Sequence, residues 1–418
     1  STLFPYTTLF RSSYMFGLMV LMTACSNDDA PATRGEDTAN AKTVLVYMAG
    51  RNELTGALDR NLEQIKEGSK QIGKNDNLLV FVRRNNKNET PWLARIKNGE
   101  VTDSLSLSDM EISSSDGQDR ASDPVVMEGV LRYAFNHYPA MNGNYGLVLW
   151  GHGTGWLMDD EVKPQKGRRA FGVDIGNNNG DKRWINITTM ANVLKGLPHM
   201  KFIMGDCCHL MCLENLYELR STCDYIIGSP AEIPGSGAPY EQIVPDFFAD
   251  GKFYSNIVGK YYKYMRGSLP LATVKTSEMD NVAQATRQAL QVVKEKIGNG
   301  FADMKGTIHY LYYGSGSAAF NPDYNIFYDA GDFIHTYAPQ DIYQQWRQIF
   351  DRAVVDRRMA TQWMTNKSWS KYYSDFTVTE DKFHGVSMFV SQDPSCGDYR
   401  RYNEDIKQME WYGVVGGI

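Results

Sequence analysis

Five short apolar runs, separated by segments with helical spacing, constrain the fold more than any other feature of this sequence. The runs are KTVLVYMAG, NLLVFVRR, YGLVLW, KFIMG and YIIGS, at residues 42–50, 77–84, 145–150, 201–205 and 225–229. Continuous aliphatic and β-branched residues bounded by glycine or polar residues predict strands that are buried on both faces. Helices are predicted at residues 54–70, and from Pro124, which follows the capping Asp123, to about His137. Strands that alternate with helices predict a parallel sheet covered by helices on both faces.

Weaker signals predict the remaining elements. They are a hairpin at residues 94–102 turning at Asn98-Gly99, an amphipathic helix at 279–297, a helix within 339–355 and a strand at 384–390. The sequence contains no internal repeat and no second linker. Residues 42–418 are therefore expected to form one α/β domain with a helical C-terminal portion.

The composition argues against two classes of protein, nucleic-acid binders and disulfide-framework proteins. The 418 residues include 43 Lys and Arg against 49 Asp and Glu, a net charge of −6. Because no basic excess is available to neutralise phosphates, no nucleic-acid partner is expected. Six cysteines in a chain of this length do not make a disulfide framework.

The N-terminal segment is expected to lie outside the folded domain. Residues 1–12 match a translated sequencing adapter and are excluded from fold reasoning. Residues 13–25 resemble the end of a bacterial lipoprotein signal, with Cys25 as the lipidated residue, and the apolar run is too short to span a bilayer. Residues 26–41 predict a flexible linker. The expected location is the cell envelope, as an outer-membrane lipoprotein facing the periplasm or the cell surface, or a secreted form. Membrane contact is expected only through Cys25.

Reactive side chains follow two of the predicted strands. His152 follows the third strand in GHGTGW, and Cys207 and Cys208 follow the fourth in GDCCHLMC. Because the carboxyl ends of parallel strands meet at one edge, these side chains are expected to lie close together. A thiol at a strand–helix junction is exposed and experiences the positive end of the helix dipole, which favours the thiolate. A thiolate beside an imidazole is a nucleophile with its proton shuttle.

The cluster from Cys207 to Cys212 has other interpretations. A zinc site is one, although successive residues point in different directions and a tetrahedral site needs convergent ligands. A Cys208–Cys212 disulfide is another, but Cys212 is rather expected to be a small buried residue. His209 could replace His152 as the base, although a following helix would carry its side chain away from Cys208.

The two motifs together resemble the clostripain family of cysteine endopeptidases, relatives of the caspases. YGLVLWGHGTGW and GDCCHLMCLENLYEL are similar to the W-x-H-G-x-G-W and D-x-C-x-x-M motifs of that family, and the resemblance continues through GSPAEIPGSGAPY and YDAGDF. It implies a caspase-like three-layer α/β/α sandwich with a mostly parallel central sheet. It also implies protein or peptide substrates, His152 as the general base and Cys208 as the nucleophile. The backbone N–H groups of Gly153 and Cys208 would stabilise the oxyanion. A dyad suffices, and no third member is identified.

The resemblance also implies a specificity. Clostripain-like enzymes usually cleave after Arg or Lys, using acidic residues beneath the P1 side chain. Asp206 matches one of these acids. In the PGSG segment Ser236 stands where another acid often lies, and Glu232 is the candidate substitute.

The stretch between the two motifs suggests self-processing. Residues 159–172 are rich in Lys and Arg, and clostripain-like precursors are commonly cut between the His and Cys motifs. Cleavage is therefore expected after Lys166, Arg168 or Arg169, although most charge clusters of this kind are plain surface loops.

No cofactor is expected, and calcium dependence is left open. The segment DIGNNNGD at residues 174–181 is only suggestive of a calcium loop, because NNNG is more often a simple turn. The rival function is a catalytically silent surface lipoprotein that binds peptide or glycan. A different thiol hydrolase or transpeptidase on the same fold is a third alternative.

Overall fold

The computed structural model describes residues 41–158, 171–176, 181–310, 325–363, 376–396 and 398–417. Its strands are β1 (Thr43–Gly50), β2 (Asn77–Arg84), β3 (Trp92–Lys97), β4 (Glu100–Ser106), β5 (Tyr145–Gly151), β6 (Phe171–Asp174), β7 (Arg183–Ile185), β8 (Met200–Asp206), β9 (Cys223–Gly228), β10 (Leu271–Lys275), β11 (Tyr328–Asp329), β12 (Val354–Arg358) and β13 (Ser387–Met388). Its α-helices are α1 (Thr55–Ser69), α2 (Pro124–His137), α3 (Ile187–Lys195), α4 (Leu213–Leu219), α5 (Tyr240–Phe247), α6 (Phe253–Tyr264), α7 (Met279–Ile297), α8 (Ala330–Tyr337), α9 (Gln340–Ala353), α10 (Tyr399–Asp405) and α11 (Glu410–Val415).

Nine of the strands form one sheet in the order β12-β10-β9-β8-β5-β1-β2-β3-β4. The five central strands, from β9 to β2, run parallel to one another. The flanking strands are antiparallel to their neighbours. The strands β6 and β7 form a separate hairpin, and β11 pairs with β13. The five strands predicted from apolar runs are the parallel centre of the sheet, whereas its antiparallel edges were not predicted apart from the hairpin.

The side chains of β1 alternate between two core layers, which explains why all eight of its residues are buried. Leu45 and Tyr47 belong to the layer that also contains residues of α2, α3, α4, α7 and α9, which we call the α4 face. Val44 and Val46 belong to the layer covered by α1, α5 and α6, which we call the α1 face. Each strand of the centre therefore buries both of its faces, as continuous apolar runs predict.

Local signals set the ends of several elements. Asp123 caps α2 by accepting a hydrogen bond from the Val125 N–H, and Pro124 is the first helical residue, as predicted. At the hairpin turn Asn98 and Gly99 have φ angles of 50° and 85°, which is the left-handed pair that a tight hairpin with Asn-Gly prefers. No helix within the described ranges is long and apolar enough to cross a membrane.

Candidate active site

The strands that carry the two motifs are neighbours. β5 and β8 run parallel, and Trp150 pairs with Asp206 near their carboxyl ends. His152 and Cys208 each follow two residues later in their own strand's sequence. Both residues therefore leave the sheet at the same edge, which confirms the expected adjacency of the two motifs.

The chain after β8 differs from the expected strand–helix junction. β8 ends at Asp206 and α4 begins only at Leu213, while His209 has a left-handed φ of 57°. A helix dipole acts mainly within the first turn, so α4 does not supply the potential expected at Cys208, and Cys212 does not lie one helical turn beyond it. The prediction of a helix directly after Cys208 was wrong. The reason is that residues 207–212 form a loop, buried except at Cys208, in which the N–H groups of His209 and Met211 donate hydrogen bonds to the carbonyl oxygens of Ala231 and Ser229.

A backbone donor faces the Cys208 sulfur instead. The N–H of Ile233 lies 3.3 Å from Sγ of Cys208, which is half-buried. A donor in this position stabilises negative charge on the sulfur. This contact was not predicted, because Ile233 lies in the segment after β9 and an isolated isoleucine does not indicate a catalytic role.

The other cysteines of the cluster are unsuited to nucleophilic attack. Cys207 and Cys212 are buried, and burial raises the pKa of both thiols well above the usual range. Cys212 is thus the small buried residue that was expected. The five cysteines within the described residues are free, so a Cys208–Cys212 disulfide is absent from this part of the structure. Nor does that part bring together three His, Cys, Asp or Glu side chains that could hold a metal ion, which argues against the zinc interpretation.

His152 is accessible and contacts a carboxylate. Its side chain is 21% exposed, and its Nε2 atom lies 2.9 Å from Oε1 of Glu53. Glu53 follows β1, which pairs with β5 on the side away from β8. Glu53 was not among the residues predicted from the sequence. The available signal was topological, since residues after the ends of adjacent parallel strands lie at one edge.

His209 is buried and held in the neutral form. It is 1% exposed, its Nδ1 lies 2.8 Å from the carbonyl oxygen of Pro230, and its ring stacks on Phe327 at 4.6 Å. Burial lowers the pKa of His209 to about 4. A general base must accept a proton during the reaction, and this environment disfavours the protonated ring. The structure therefore favours His152 over His209.

The glycines of GHGTGW bring this loop against the loop that carries the cysteines. A Cβ on Gly153 would lie 2.8 Å from the carbonyl oxygen of Cys208, too close for any side chain. Gly155 has a φ of 64°, and a Cβ there would lie 2.5 Å from the ring of Phe327. Trp156 is fully buried and anchors the end of the loop against Phe389 at 4.8 Å. Both glycines are thus required for the close contact of the two motifs.

Asp206 is buried directly beneath this edge of the sheet. Its Oδ2 accepts hydrogen bonds from the Ala238 N–H at 3.0 Å and the Tyr240 hydroxyl at 2.8 Å, and its Oδ1 accepts one from the Tyr261 hydroxyl at 2.8 Å. Burial raises the pKa of Asp206, and these three donors oppose that rise. Nearby, Ser236 is exposed and Glu232 is half-buried. The structure thus brings Asp206 next to the PGSG segment, as the specificity interpretation requires.

Some predicted residues lie outside the described part of the chain. Cys25, Lys166, Arg168, Arg169 and residues 177–180 are among them. The two acidic ends of the suggested calcium loop are described, and both contact arginines. Asp174 lies 3.4 Å from Arg51, and Asp181 lies 2.5 Å from Arg120. These carboxylates therefore serve at least as partners for buried arginines.

The comparisons with known proteins agree with this geometry. A model of the clostripain family matches residues 46–415. A structure described as a secreted C11 cysteine protease from Bacteroides thetaiotaomicron, in complex with an irreversible peptide inhibitor, is 26% identical, with a TM-score of 0.69 over 90% of this chain and 99% of that one. A structure described as an inactive zymogen C11 protease from Parabacteroides distasonis is 26% identical, with a TM-score of 0.70 over 90% of this chain and 97% of that one.

A third structure shows likeness in fold alone. It is described as a secreted C11 cysteine protease from Bacteroides thetaiotaomicron, and it is 20% identical, with a TM-score of 0.65 over 90% of this chain and 99% of that one. No curated protein gives a significant sequence match. The fold expected from the resemblance, a caspase-like α/β sandwich around a mostly parallel sheet, is confirmed by these likenesses. The match over most of the domain shows that this chain belongs to the clostripain family and is a cysteine peptidase.

Proposed function

We propose that this peptidase acts through a dyad in which Cys208 is the nucleophile and His152 the general base. The observation that carries the proposal is the meeting of the two motifs at one edge of the sheet, after the paired residues Trp150 and Asp206. Of the three cysteines in the cluster, Cys208 is the one that is not buried. Of the two candidate bases, His152 is the one that is partly exposed to solvent.

The reaction would proceed through a thioester. The proton of the Cys208 thiol moves to His152, and the thiolate attacks the scissile carbonyl carbon. The resulting oxyanion is stabilised by the N–H groups of Gly153 and Cys208, two residues so close that a Cβ on Gly153 would lie 2.8 Å from the Cys208 carbonyl oxygen. Each such donor contributes about 3 kcal/mol to transition-state stabilisation in comparable sites. The imidazolium then protonates the leaving amine, and water hydrolyses the thioester with His152 accepting a proton from it.

A preference for Arg or Lys at P1 is the proposed specificity. Support comes from Asp206, a buried carboxylate two residues before the nucleophile and in contact with the segment that contains Ser236. Its two oxygens accept three hydrogen bonds from described groups, whereas a carboxylate has about four acceptor positions. These three donors use three of the four positions, and the proposal assigns the fourth to a P1 cation, with half-buried Glu232 as a second candidate contact.

Self-processing is a further part of the proposal. The candidate sites Lys166, Arg168 and Arg169 lie between His152 and Cys208 in sequence, and the related chain from Parabacteroides distasonis is described as a zymogen.

Anchoring to the membrane is proposed as well. Lipidation at Cys25 would tether the domain to the cell envelope, whereas the similar chain from Bacteroides thetaiotaomicron is described as secreted. A calcium requirement through residues 174–181 would appear as a lower turnover in the presence of a chelator.

A panel of fluorogenic peptides that differ only at P1 tests the proposal. The panel contains Arg, Lys, Asp, Asn and Leu, and Cys208→Ala and His152→Ala serve as inactive controls. Turnover of the Arg and Lys peptides by the unmodified chain, lost in both variants, is the expected result. Turnover by Cys208→Ala would refute the dyad. Cleavage of the Leu or Asn peptide alone would refute the specificity but not the dyad. Peptide binding without any cleavage would favour the silent binding protein instead.

A further inference from the structure

Glu53 contacts the ring of His152 in a way that determines which ring nitrogen is protonated. Oε1 of Glu53 lies 2.9 Å from Nε2 of His152. An ionised carboxylate only accepts hydrogen bonds, so Nε2 must carry the hydrogen. A neutral imidazole has one N–H, which leaves Nδ1 as the acceptor nitrogen. We propose that Glu53 is a positioning residue that fixes this tautomer and keeps Nδ1 of His152 available to the Cys208 thiol. The inference rests on the proposed dyad.

The backbone beneath Glu53 is fixed although the side chain is 73% exposed. The neighbouring Asn52 is buried, and its Nδ2 donates a hydrogen bond to the Val173 carbonyl oxygen at 2.8 Å. The Oδ1 of Asn52 accepts a hydrogen bond from the Leu54 N–H at 2.8 Å. Glu53 is therefore held on both sides by a side chain that is itself anchored, so its carboxylate projects from a defined position.

Strand β6 holds both partners of the contact. The Gly172 N–H donates a hydrogen bond to the carbonyl oxygen of His152 at 2.9 Å, and the next residue, Val173, accepts the bond from Asn52. A single short strand thus links the residue that bears the imidazole to the turn that bears Glu53. This arrangement is expected of groups whose relative position matters for a reaction.

The contact acts on the proton transfer that generates the nucleophile. When the Cys208 proton moves to Nδ1, the products are a thiolate and an imidazolium whose Nε2–H still points at Glu53. The carboxylate then faces a positive ring, so it favours the ion pair over the neutral pair. Because Glu53 is exposed, solvent screens the attraction, and the expected effect is about two- to fivefold in rate. Added salt should reduce this effect of Glu53 on the rate further.

The rate of Cys208 alkylation by iodoacetamide, as a function of pH, tests this role without requiring peptidase activity. Mass spectrometry of the peptide that contains Cys208 separates its reaction from that of the exposed Cys396. The full chain is compared with Glu53→Gln, Glu53→Asp and His152→Ala. The matched control is Glu63→Gln, which removes one charge from a carboxylate that is 70% exposed on α1 and pairs with Lys66.

At pH 6, Cys208 of Glu53→Gln should be alkylated about two- to fivefold more slowly than Cys208 of the unmodified chain. At pH 9 the two rates should be equal, because the thiolate then forms without proton transfer to His152. Glu53→Asp should recover part of the lost alkylation rate. In 1 M NaCl the rates of Glu53→Gln and the unmodified chain should differ less. Glu63→Gln should be alkylated at the same rate as the unmodified chain. With peptide substrate, Glu53→Gln should lower kcat and leave KM unchanged. A Glu53→Gln profile equal to that of the unmodified chain, with His152→Ala slower at pH 6, would overturn the role of Glu53 alone. An unchanged profile in His152→Ala would instead overturn the dyad.

Discussion

Cys207 and Cys208 are consecutive residues whose side chains lie on opposite faces of the central sheet. Cys207 packs in the core of the α4 face, beside Leu210, whereas Cys208 borders the core of the α1 face, beside Ile233. Successive side chains point to opposite faces at the end of a strand, so only one of two adjacent thiols can meet a substrate at this edge. The two thiols therefore do not converge on one point, as the ligands of a tetrahedral metal ion must.

Replacement of each cysteine by alanine separates the nucleophile from its neighbours. Cys208→Ala should abolish turnover, whereas Cys207→Ala and Cys212→Ala should retain most of it. Each of the latter removes a buried sulfur, so a loss of about 1–2 kcal/mol in the free energy of unfolding is expected. Turnover and denaturant midpoints measured on the same preparations distinguish the two effects. Inactive but folded Cys207→Ala would contradict the assignment.

Asp206→Asn should affect both specificity and stability. The amide presents one oxygen in place of two, so one of the three donors on Asp206 would face an N–H₂ group. The expected loss of stability is about 1–3 kcal/mol. KM for Arg and Lys peptides should rise steeply, because a desolvated charge pair contributes about 2–5 kcal/mol.

Tyr261→Phe is the control for that variant, since it removes one donor and keeps the charge. It should lower stability and leave the preference for Arg and Lys intact. If both variants shift KM equally, Asp206 acts only through the packing of the segment that follows β9.

His209 should make stability depend on pH. Its pKa is lowered to about 4 in the folded chain, below the 6.5 of an unperturbed histidine, because burial disfavours the charged ring. The unfolded chain therefore binds more protons between these values. The stabilisation is present above pH 6.5 and is lost as the pH falls through 4, a change on the order of 3 kcal/mol.

His209→Asn tests this dependence, because asparagine tolerates the left-handed φ at this position. The variant should be less stable than the unmodified chain at pH 7, having lost the stack on Phe327. The difference in urea midpoint should shrink between pH 6.5 and pH 4, while peptidase activity at pH 7 persists. The exposed His199, changed to asparagine, is the control. A difference that stays constant with pH would show that His209 does not titrate as described.

Self-processing should leave two fragments on a denaturing gel. The unmodified chain should be cut after Lys166, Arg168 or Arg169, and Cys208→Ala should remain one band. Simultaneous replacement of the three basic residues by glutamine should block the cut while preserving the dyad. N-terminal sequencing of the heavier fragment locates the site. A fully active chain that stays intact would show that residues 159–172 are a plain surface loop.

The sequence predicted the centre of the fold because burial on both faces requires long aliphatic runs. Residues 77–84, for example, coincide with β2. A long amphipathic pattern is equally recognisable, and residues 279–297 coincide with α7. Shorter elements escaped prediction: β6 and β7 have four and three residues, too few for a periodic pattern. The candidate strand at residues 384–390 contains only the two-residue β13.

The candidate site was predicted only in part, because motifs identify residues and not their partners. His152 and Cys208 stand in recognisable motifs on adjacent strands. Glu53 is an exposed polar residue in a turn, and its contact with His152 depends on the pairing of β1 with β5. The hydroxyls on Asp206 come from α5 and α6, and no local pattern connects Tyr240 or Tyr261 to a residue at the end of β8.

The neighbouring positions of β5 and β8 have a consequence for the processed enzyme. A cut between His152 and Cys208 would assign β1 to β5 to one polypeptide and β8, β9, β10 and β12 to the other. The two products would be subunits joined along the β5–β8 ladder and through β6, whose backbone bonds to His152 and Asn52, with one half of the dyad on each. The two fragments, produced separately, would each lack peptidase activity. Mixing them would restore turnover if they associate. Any treatment that separates the two subunits would therefore inactivate the enzyme.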